Sequence, residues 1–225
     1  MLRLSLKQLM ARKLRLLSTT VAVLLGVAFL TGSLVLTDTI GKTFDDLFAE
    51  LGEGVDAHIR SADKIETDFF EVRGTVDGAL VDEIEAVEGV AAVQGQTEGY
   101  AQLVDKEGDP IGNPGNGPPT LGVTWTNIDV LNQLRLVGED SQRPGPGEVV
   151  IDKGSADAAG FEVGDAVTIL LQGPPREFRI SGIATFGSAD SPLGASLAAF
   201  EEMTAQRVLG ELGRFNSIDV VAEEG

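Results

Sequence analysis

The hydrophobic pattern divides the chain into one long apolar run near its start and a body of shorter, mixed segments. From Leu16 to Thr37 there are 22 residues without a charge, most of them Leu, Val, Ala and Thr. A helix of this length spans roughly 33 Å, which matches a bilayer hydrocarbon core of about 30 Å. The pattern therefore predicts a transmembrane helix over residues 16–37.

The charges on either side of the apolar run predict its orientation. Arg12, Lys13 and Arg15 lie directly before the run, and acidic residues follow it from Asp38 onward. The positive-inside rule then places the N-terminus in the cytoplasm and the body outside the cell membrane, with a single span in this chain. In residues 1–15, apolar positions recur at helical spacing among the cations, which predicts a cytoplasmic segment lying in the interface among lipid headgroups.

A secretory signal peptide also begins with basic residues followed by an apolar run. The apolar region of a signal peptide is usually about 7–15 residues long, and this run is longer. No small-x-small cleavage site follows it directly. The pattern favours a stable anchor in the plasma membrane over a cleaved leader.

Behind the anchor, the pattern predicts a stalk helix over residues 38–54 and a folded domain over residues 55–225. In the stalk, apolar residues recur at helical spacing from Ile40 to Leu51, and Gly52 and Gly54 end the helix. Further helices are predicted at Asp77–Gly89, in one turn that stops at Gly160, and at about Ser196–Leu209. Strands are predicted at Val55–Arg60, Val90–Val104 (with a bulge near Gly95 or Gly99), Thr120–Thr126, Glu148–Asp152, Ala166–Leu171, Glu177–Ile183 and Ser217–Val221.

Two segments rich in Pro and Gly predict loops, because this composition supports neither a helix nor a strand ladder. They are Asn113–Pro119 and Arg143–Gly147, and the second is predicted to mark the edge of a subdomain. The mixed order of strands and helices indicates an α+β fold. The predicted architecture is one N-terminal transmembrane helix followed by a mixed α+β extracytoplasmic domain of two subdomains.

Charge and composition exclude several classes of function. The net charge is −18, and five of the 17 basic residues, but none of the 35 acidic ones, lie in residues 1–15. An acidic body argues against nucleic-acid binding, which needs clustered Lys and Arg. The chain has no cysteine, which excludes disulfides, thiol catalysis and Cys-ligated zinc.

No motif in the sequence indicates catalysis. There is no Walker A motif, and the glycine-rich stretch Gly112–Gly117 is interrupted by prolines, so a surface loop is the favoured interpretation. The one histidine, His58, lies in a predicted strand with no second metal ligand of its kind, and the segment Asp105–Asp109 is interpreted as a turn.

Asp82, Glu83, Glu85 and Glu88 are interpreted as the solvated face of an amphipathic helix and not as acid–base groups. We therefore predict no catalytic, cofactor-binding or metal-binding residues, and no enzyme activity.

Several segments resemble ABC transporter permeases of the MacB/FtsX type. The stretch from Ala11 to Phe29, continuing through Leu36–Thr39, resembles the start of such permeases. The blocks GEVVID after Arg143, GFEVGD from Gly160 and FRISGI from Phe178 resemble the MacB-like periplasmic core domain, in the order and spacing of that family. This second set is the more specific because the three blocks occur together in that order; each block alone would be weak evidence.

The resemblance implies a permease subunit whose extracytoplasmic domain couples ATP hydrolysis to movement outside the membrane. It implies that ATP binds only to a partner ATPase subunit, and that the other partners are membrane lipid and the remaining permease helices or a second permease copy. In that family the chain continues through more core domain and further membrane helices, so we expect this chain to be incomplete at its C-terminus. The alternative hypothesis is a single-pass anchored extracytoplasmic binding or adaptor module; an anchored hydrolase has no supporting motif.

Overall fold

The structure is a computed structural model that describes residues 17–34, 54–66, 71–112, 120–187, 189–192 and 194–223. By its internal contacts the chain forms two units, residues 1–52 and residues 53–225. The predicted interfacial segment 1–15, the stalk helix Ile40–Leu51 and the loop Asn113–Pro119 lie outside the described residues.

In the first unit, helix α1 runs over Leu17–Leu34. Its 18 residues have a mean hydropathy of 1.9, so the helix is long and apolar enough to cross a membrane. Its apolar side chains are exposed, Phe29 by 80%. A helix that is apolar all round is typical of a buried core helix or of a membrane span, and the exposed side chains of α1 favour the membrane span.

The second unit contains a small antiparallel sheet in the order β1-β15-β5. Its strands are β1 (Ala57–Arg60), β5 (Val90–Gln96) and β15 (Ser217–Ala222). Helix α2 (Ala79–Glu85) covers one face, where Ile218, Val220 and Phe215 form the buried core. Two short ribbons accompany this sheet: β2 (Lys64–Glu66) pairs with β3 (Glu71–Arg73), and β4 (Val76–Asp77) pairs with β14 (Arg214–Phe215).

A larger sheet of eight strands lies between β5 and β14 along the chain. Its order is β6-β8-β13-β10-β12-β11-β7, with β9 paired to β12. The strands are β6 (Glu98–Tyr100), β7 (Gln102–Val104), β8 (Thr120–Thr124), β9 (Leu134–Val137), β10 (Glu148–Asp152), β11 (Ala166–Leu170), β12 (Arg176–Phe186) and β13 (Ser196–Phe200). Two pairs, β10–β12 and β8–β13, are parallel, and the others are antiparallel. Helices α3 (Lys153–Ala159) and α4 (Glu202–Leu209) pack against this sheet.

Asp152 joins three elements at the centre of the larger sheet. Its Oδ2 accepts a hydrogen bond from the backbone N–H of Ser155 (2.8 Å) and so caps α3, and its Oδ1 accepts one from the N–H of Leu197 (2.7 Å) in β13. Because the residue is 1% exposed, burial raises the pKa of its carboxyl group, although the hydrogen bonds it accepts act in the other direction. Helix α3 ends at Gly160, whose left-handed backbone (φ 63°) matches the predicted stop.

Much of the predicted α+β pattern is confirmed. Strand β1, helix α2, strand β10, the β11–β12 hairpin and strand β15 all lie where the pattern placed them. The acidic residues of α2 are exposed as predicted, and Asp105 forms a turn by accepting hydrogen bonds from the N–H groups of Glu107 and Asp109.

Three predictions for the stretch from Val90 to Gly147 are wrong in detail. The stretch Val90–Val104 is not one bulged strand: it forms β5, β6 and β7, which belong to two different sheets. A Cβ at Gly95 would lie 2.5 Å from the Phe215 ring, so this glycine marks a close approach between strands and not a bulge. The loop Arg143–Gly147 is not a subdomain edge, because the strands on both sides of it, β9 and β10, pair with β12.

The predicted helix Ser196–Leu209 is correct only in its second half. Ser196–Phe200 is the buried strand β13 between β8 and β10, and α4 starts after Glu201, whose side chain accepts from the N–H groups of Met203 and Thr204. A short apolar run that is buried on both faces has no periodicity that separates a strand from a helix.

We predict that Asp152→Asn lowers the free energy of unfolding by about 1–3 kcal/mol, because an amide nitrogen cannot accept from a buried N–H. The loss should shrink as the pH rises. The folded protein binds the Asp152 proton more tightly than the unfolded chain does, so the stability that this proton contributes is lost between the ordinary pKa of 3.8 and the raised one. Denaturant titrations from pH 4 to 7 measure the difference in the free energy of unfolding between the wild type and Asp152→Asn, with the exposed Asp140→Asn as control. A difference that grows with pH would contradict the prediction.

Candidate functional site at the joint between the two sheets

The chain passes between the two sheets at two adjacent places. It leaves the small sheet at Gln96–Glu98, between β5 and β6, and returns at Asn216, between β14 and β15. The N–H of Asn216 donates to the carbonyl O of Gln96 (2.8 Å), and its side-chain Oδ1 accepts from the N–H of Glu98 (3.0 Å). These two hydrogen bonds hold the two crossings side by side. The region in which the chain crosses between the two sheets is here called the joint.

Thr97 fastens the outward crossing to the larger sheet. Its N–H donates to Oγ1 of Thr124 in β8 (3.0 Å), and its carbonyl O accepts from the N–H of Thr124 (3.0 Å). Both threonines are buried. These reciprocal bonds use backbone groups that would otherwise be buried without a partner, so this part of the joint is firmly fixed.

The face of the small sheet that α2 does not cover carries a row of polar side chains. The strand register places Asp219 of β15 directly between His58 of β1 and Gln94 of β5. His58 Nδ1 hydrogen-bonds to Oδ1 of Asp219, which is 9% exposed. Residues that are directly opposite on neighbouring strands point to the same face, so this row runs across the whole sheet.

Gln94 extends this row to the larger sheet. Its Nε2 donates to Oε2 of Glu202 in the first turn of α4 (2.9 Å), and its Oε1 accepts from Oγ1 of Thr126 just after β8 (3.2 Å). The same Nε2 also donates to the carbonyl O of Gly95 (3.1 Å). One half-buried amide therefore contacts the small sheet, α4 and the end of β8.

The segment 125–133, which connects β8 to β9, is here called the β8–β9 loop. Gln94 contacts this loop at Thr126. Oγ1 of Thr126 accepts from the N–H of Ile128 (3.2 Å), and Nδ2 of Asn132 donates to the carbonyl O of Thr126 (3.1 Å). Asn132 Oδ1 also accepts from the N–H of Leu134 at the start of β9 (2.9 Å). These local bonds hold the loop in one shape.

The β8–β9 loop also contacts the segment through which the chain enters the domain. Gly54 has a φ of +90°, and a Cβ there would lie 2.7 Å from the carbonyl O of Val130. Three residues later the chain pairs with β15 as strand β1, and the N–H of Asp56 already donates to the carbonyl O of Val220 (2.9 Å). The incoming segment thus contacts both sheets within a few residues.

The joint is built mostly from amides, hydroxyls and backbone groups, together with the titratable side chains of His58, Asp219 and Glu202. Within the described residues no group of three or more His, Asp or Glu side chains could hold a metal ion. The hydrogen bonds of the joint position elements relative to one another. The arrangement is suited to transmitting or resisting movement.

No site residue is predicted from the sequence, and no local pattern indicates this joint. His58 stands alone in the sequence, whereas the fold brings it to Asp219 and, through the row, to Gln94. Gln94, Thr126 and Gly54 are common residue types in unremarkable positions, and no local motif marks them. Only the register of strands that are far apart in sequence could have indicated them.

Comparison with known proteins identifies the family. Residues 16–225 match the MacB-like periplasmic core domain. The chain belongs to this family. The predicted resemblance is confirmed, and membership together with helix α1 assigns the chain to a membrane.

Two solved structures of bacterial proteins are similar to this chain. The periplasmic region of MacB from Actinobacillus actinomycetemcomitans is 15% identical, with a TM-score of 0.52 over 78% of each chain. The extracellular domain of the noncanonic ABC-type transporter YknZ from Gram-positive bacteria is 14% identical, with a TM-score of 0.46 over 67% of this chain and 75% of that one. No curated protein sequence matches. The likeness to the MacB region shows a shared fold.

We predict that Gly54→Ala is more destabilising than Gly89→Ala by about 1–3 kcal/mol, the usual cost of overpacking. Both glycines have nearly the same positive φ (90° and 88°), so the backbone strain of alanine is matched. A Cβ at Gly89 meets nothing within 4 Å, whereas one at Gly54 meets Val130. Urea unfolding of the two variants measures the difference, and equal losses would show that the contact with Val130 is unimportant.

Proposed function

We propose that this chain is the membrane-anchored part of an ABC transporter permease of the MacB/FtsX type, and that its extracytoplasmic domain couples a partner ATPase to export or other work outside the membrane. The observation that carries the proposal is the joint. A domain of the MacB-like family follows an apolar helix in sequence, and the incoming segment contacts both of its sheets at Gly54–Arg60.

The contacts of the incoming segment suggest how movement would be distributed. A displacement of this segment acts on the small sheet through the β1–β15 ladder, and on the larger sheet where Gly54 meets Val130. Backbone ladders and close-packed contacts resist compression, so they transmit displacement over several residues. A polar joint between the sheets then allows one sheet to move relative to the other.

The proposal assigns ATP hydrolysis to another protein. The sequence has no P-loop, so we propose that no cofactor binds to this chain and that a separate ATPase subunit holds ATP. Further permease helices, or a second permease copy, complete the membrane part. The lipid bilayer surrounds α1, whose apolar side chains are exposed.

We further propose that the N-terminus is cytoplasmic and the domain extracytoplasmic, as the flanking charges indicate. Because the chain has no cysteine, single cysteines can be introduced at Ala11 and at the exposed Asp140. A membrane-impermeant maleimide should label Asp140→Cys in intact cells or spheroplasts, and Ala11→Cys only after permeabilisation. The opposite labelling pattern would reverse the topology and exclude the proposed coupling outside the cell.

Purification of the full chain from its native membranes tests the proposed assembly. We expect a P-loop ATPase and additional permease helices to co-purify with it. Spin labels at Glu88→Cys, in the turn between α2 and β5, and at Glu177→Cys, on β12 of the larger sheet, should change their separation between the nucleotide-free and the ATP–vanadate states. The pair Glu139→Cys, in the turn after β9, and Glu177→Cys serves as control and should not change, because β9 and β12 belong to the same sheet. A chain that purifies alone, or a separation indifferent to nucleotide, would contradict the proposal and favour an anchored binding or adaptor module.

A further inference from the structure

We infer that Gln94 is the positioning residue of the joint: its side-chain amide acts as a reversible latch that holds the two sheets at one angle. The inference rests on the proposed function for its biological meaning, but the geometry that supports it is independent of any partner. Gln94 belongs to the small sheet, and two of its three hydrogen-bond partners, Glu202 and Thr126, belong to the larger one.

Both distant partners are themselves held in place. Glu202 is the first residue of α4, and the preceding Glu201 caps this helix by accepting from the N–H groups of Met203 (3.2 Å) and Thr204 (3.0 Å). Thr126 is 4% exposed and is fixed within the β8–β9 loop by its bonds to Ile128 and Asn132. Neither partner can follow Gln94 freely, so these bonds form at one relative position of the sheets.

The chemistry of the contact makes it selective for that position. The amide uses its donor end for a carboxylate and its acceptor end for a hydroxyl, so the two bonds are directional and cannot both persist if the sheets slide. Apolar contacts have no such directional requirement. A hydrogen-bonded contact therefore defines an angle that packing alone would leave loose.

The latch can open because it is not sealed from water. Gln94 and Glu202 are half-buried, and amide and carboxylate groups that lose each other at such a position can bond to water instead. The crossings at Thr97 and Asn216 stay bonded through backbone groups when the latch opens, since they do not involve the Gln94 side chain. The joint thus combines contacts at the two crossings that stay bonded with a side-chain contact that can open and close.

The row His58–Asp219–Gln94 spans all three strands of the small sheet, so Gln94 lies two strands away from the strand that carries His58. Asp219 lies between them, and the β1–β15 and β15–β5 ladders make a displacement of β1 carry β15 and β5 with it. The latch is therefore placed where movement of the incoming segment arrives. We assign the positioning role to Gln94 because, in this row, its side chain is the one that bonds to the larger sheet.

The latch is tested in the full chain by removing the Gln94 amide and by exchanging it with the Glu202 carboxylate. Gln94→Ala should broaden or shift the distance distribution between spin labels at Glu88→Cys and Glu177→Cys, with about a tenfold rise in the population outside the native peak. Gln94→Glu should do the same, because it opposes a carboxylate to Glu202. The double variant Gln94→Glu/Glu202→Gln restores an amide–carboxylate bond and keeps the acceptor for Thr126, so it should recover the native peak.

Two variants control for other causes. Gln96→Ala removes an amide from the same face of the same strand and leaves the backbone bond to Asn216 intact, so it should keep the native distribution. Glu202→Ala removes the carboxylate that Gln94 contacts and leaves the bonds within the β8–β9 loop intact, so it should reproduce part of the Gln94→Ala effect even if that variant folds poorly. An unchanged distribution in Gln94→Ala, an equal effect of Gln96→Ala, or no recovery in the double variant would overturn the inference.

The latch and the proposed function can fail separately. The distributions above are measured on the chain without nucleotide, so they report on Gln94 alone. Adding the co-purified ATPase with ATP–vanadate then asks whether the angle responds to the partner. If Gln94→Ala changes the angle but nucleotide does not, the latch stands and the coupling fails. If nucleotide changes the angle but Gln94→Ala leaves the nucleotide-free distribution unchanged, the coupling stands and the latch is overturned.

Discussion

The antiparallel pairing of β5 with β15 is the constraint on which the rest of this domain depends. It joins Gln96 to Ser217, and every strand of the larger sheet lies between these two residues along the chain. Closing so long a connection costs conformational entropy, although this cost rises only slowly with length. Backbone bonds along the ladder and the burial of Ile218 and Val220 offset it. Since β15 also pairs with β1, the strand that closes the domain is the one that receives the incoming chain.

The interior of the domain consists of separate apolar cores, and the contact between its two sheets is largely polar. The buried cluster around Phe215 and Ile218 belongs to the small sheet, and those around Phe200 and Trp125 belong to the larger one. Close-packed cores keep their shape when a domain is loaded, because small displacements already cost packing energy. Hydrogen bonds of half-buried groups exchange with water at a low net cost. The two sheets can therefore remain rigid while the angle between them changes.

The success of sequence reasoning along this chain follows the range of the interactions that form each element. The β11–β12 hairpin, the stop at Gly160 and the amphipathic α2 depend on residues close in sequence, and they were predicted correctly. Strand β13 was mistaken for helix because its neighbours β8 and β10 decide its conformation, and both are remote in sequence. The separation of Val90–Val104 into three strands has the same cause, because β5 pairs with β15 and β7 pairs with β11.

By itself, the sequence determined the membrane helix, the acidic α+β body and the family, because apolar length, charge distribution and ordered short motifs are properties of the chain in one dimension. Only the tertiary structure decided where the two sheets divide and which residues meet at their joint. Gln94, Thr126 and Glu202 are separated by 32 and 76 residues along the chain, and nothing in their local sequence relates them. They meet because the β5–β15 and β8–β13 ladders fix the register of distant strands, and register is set by the burial of whole sheet faces and not by any single residue.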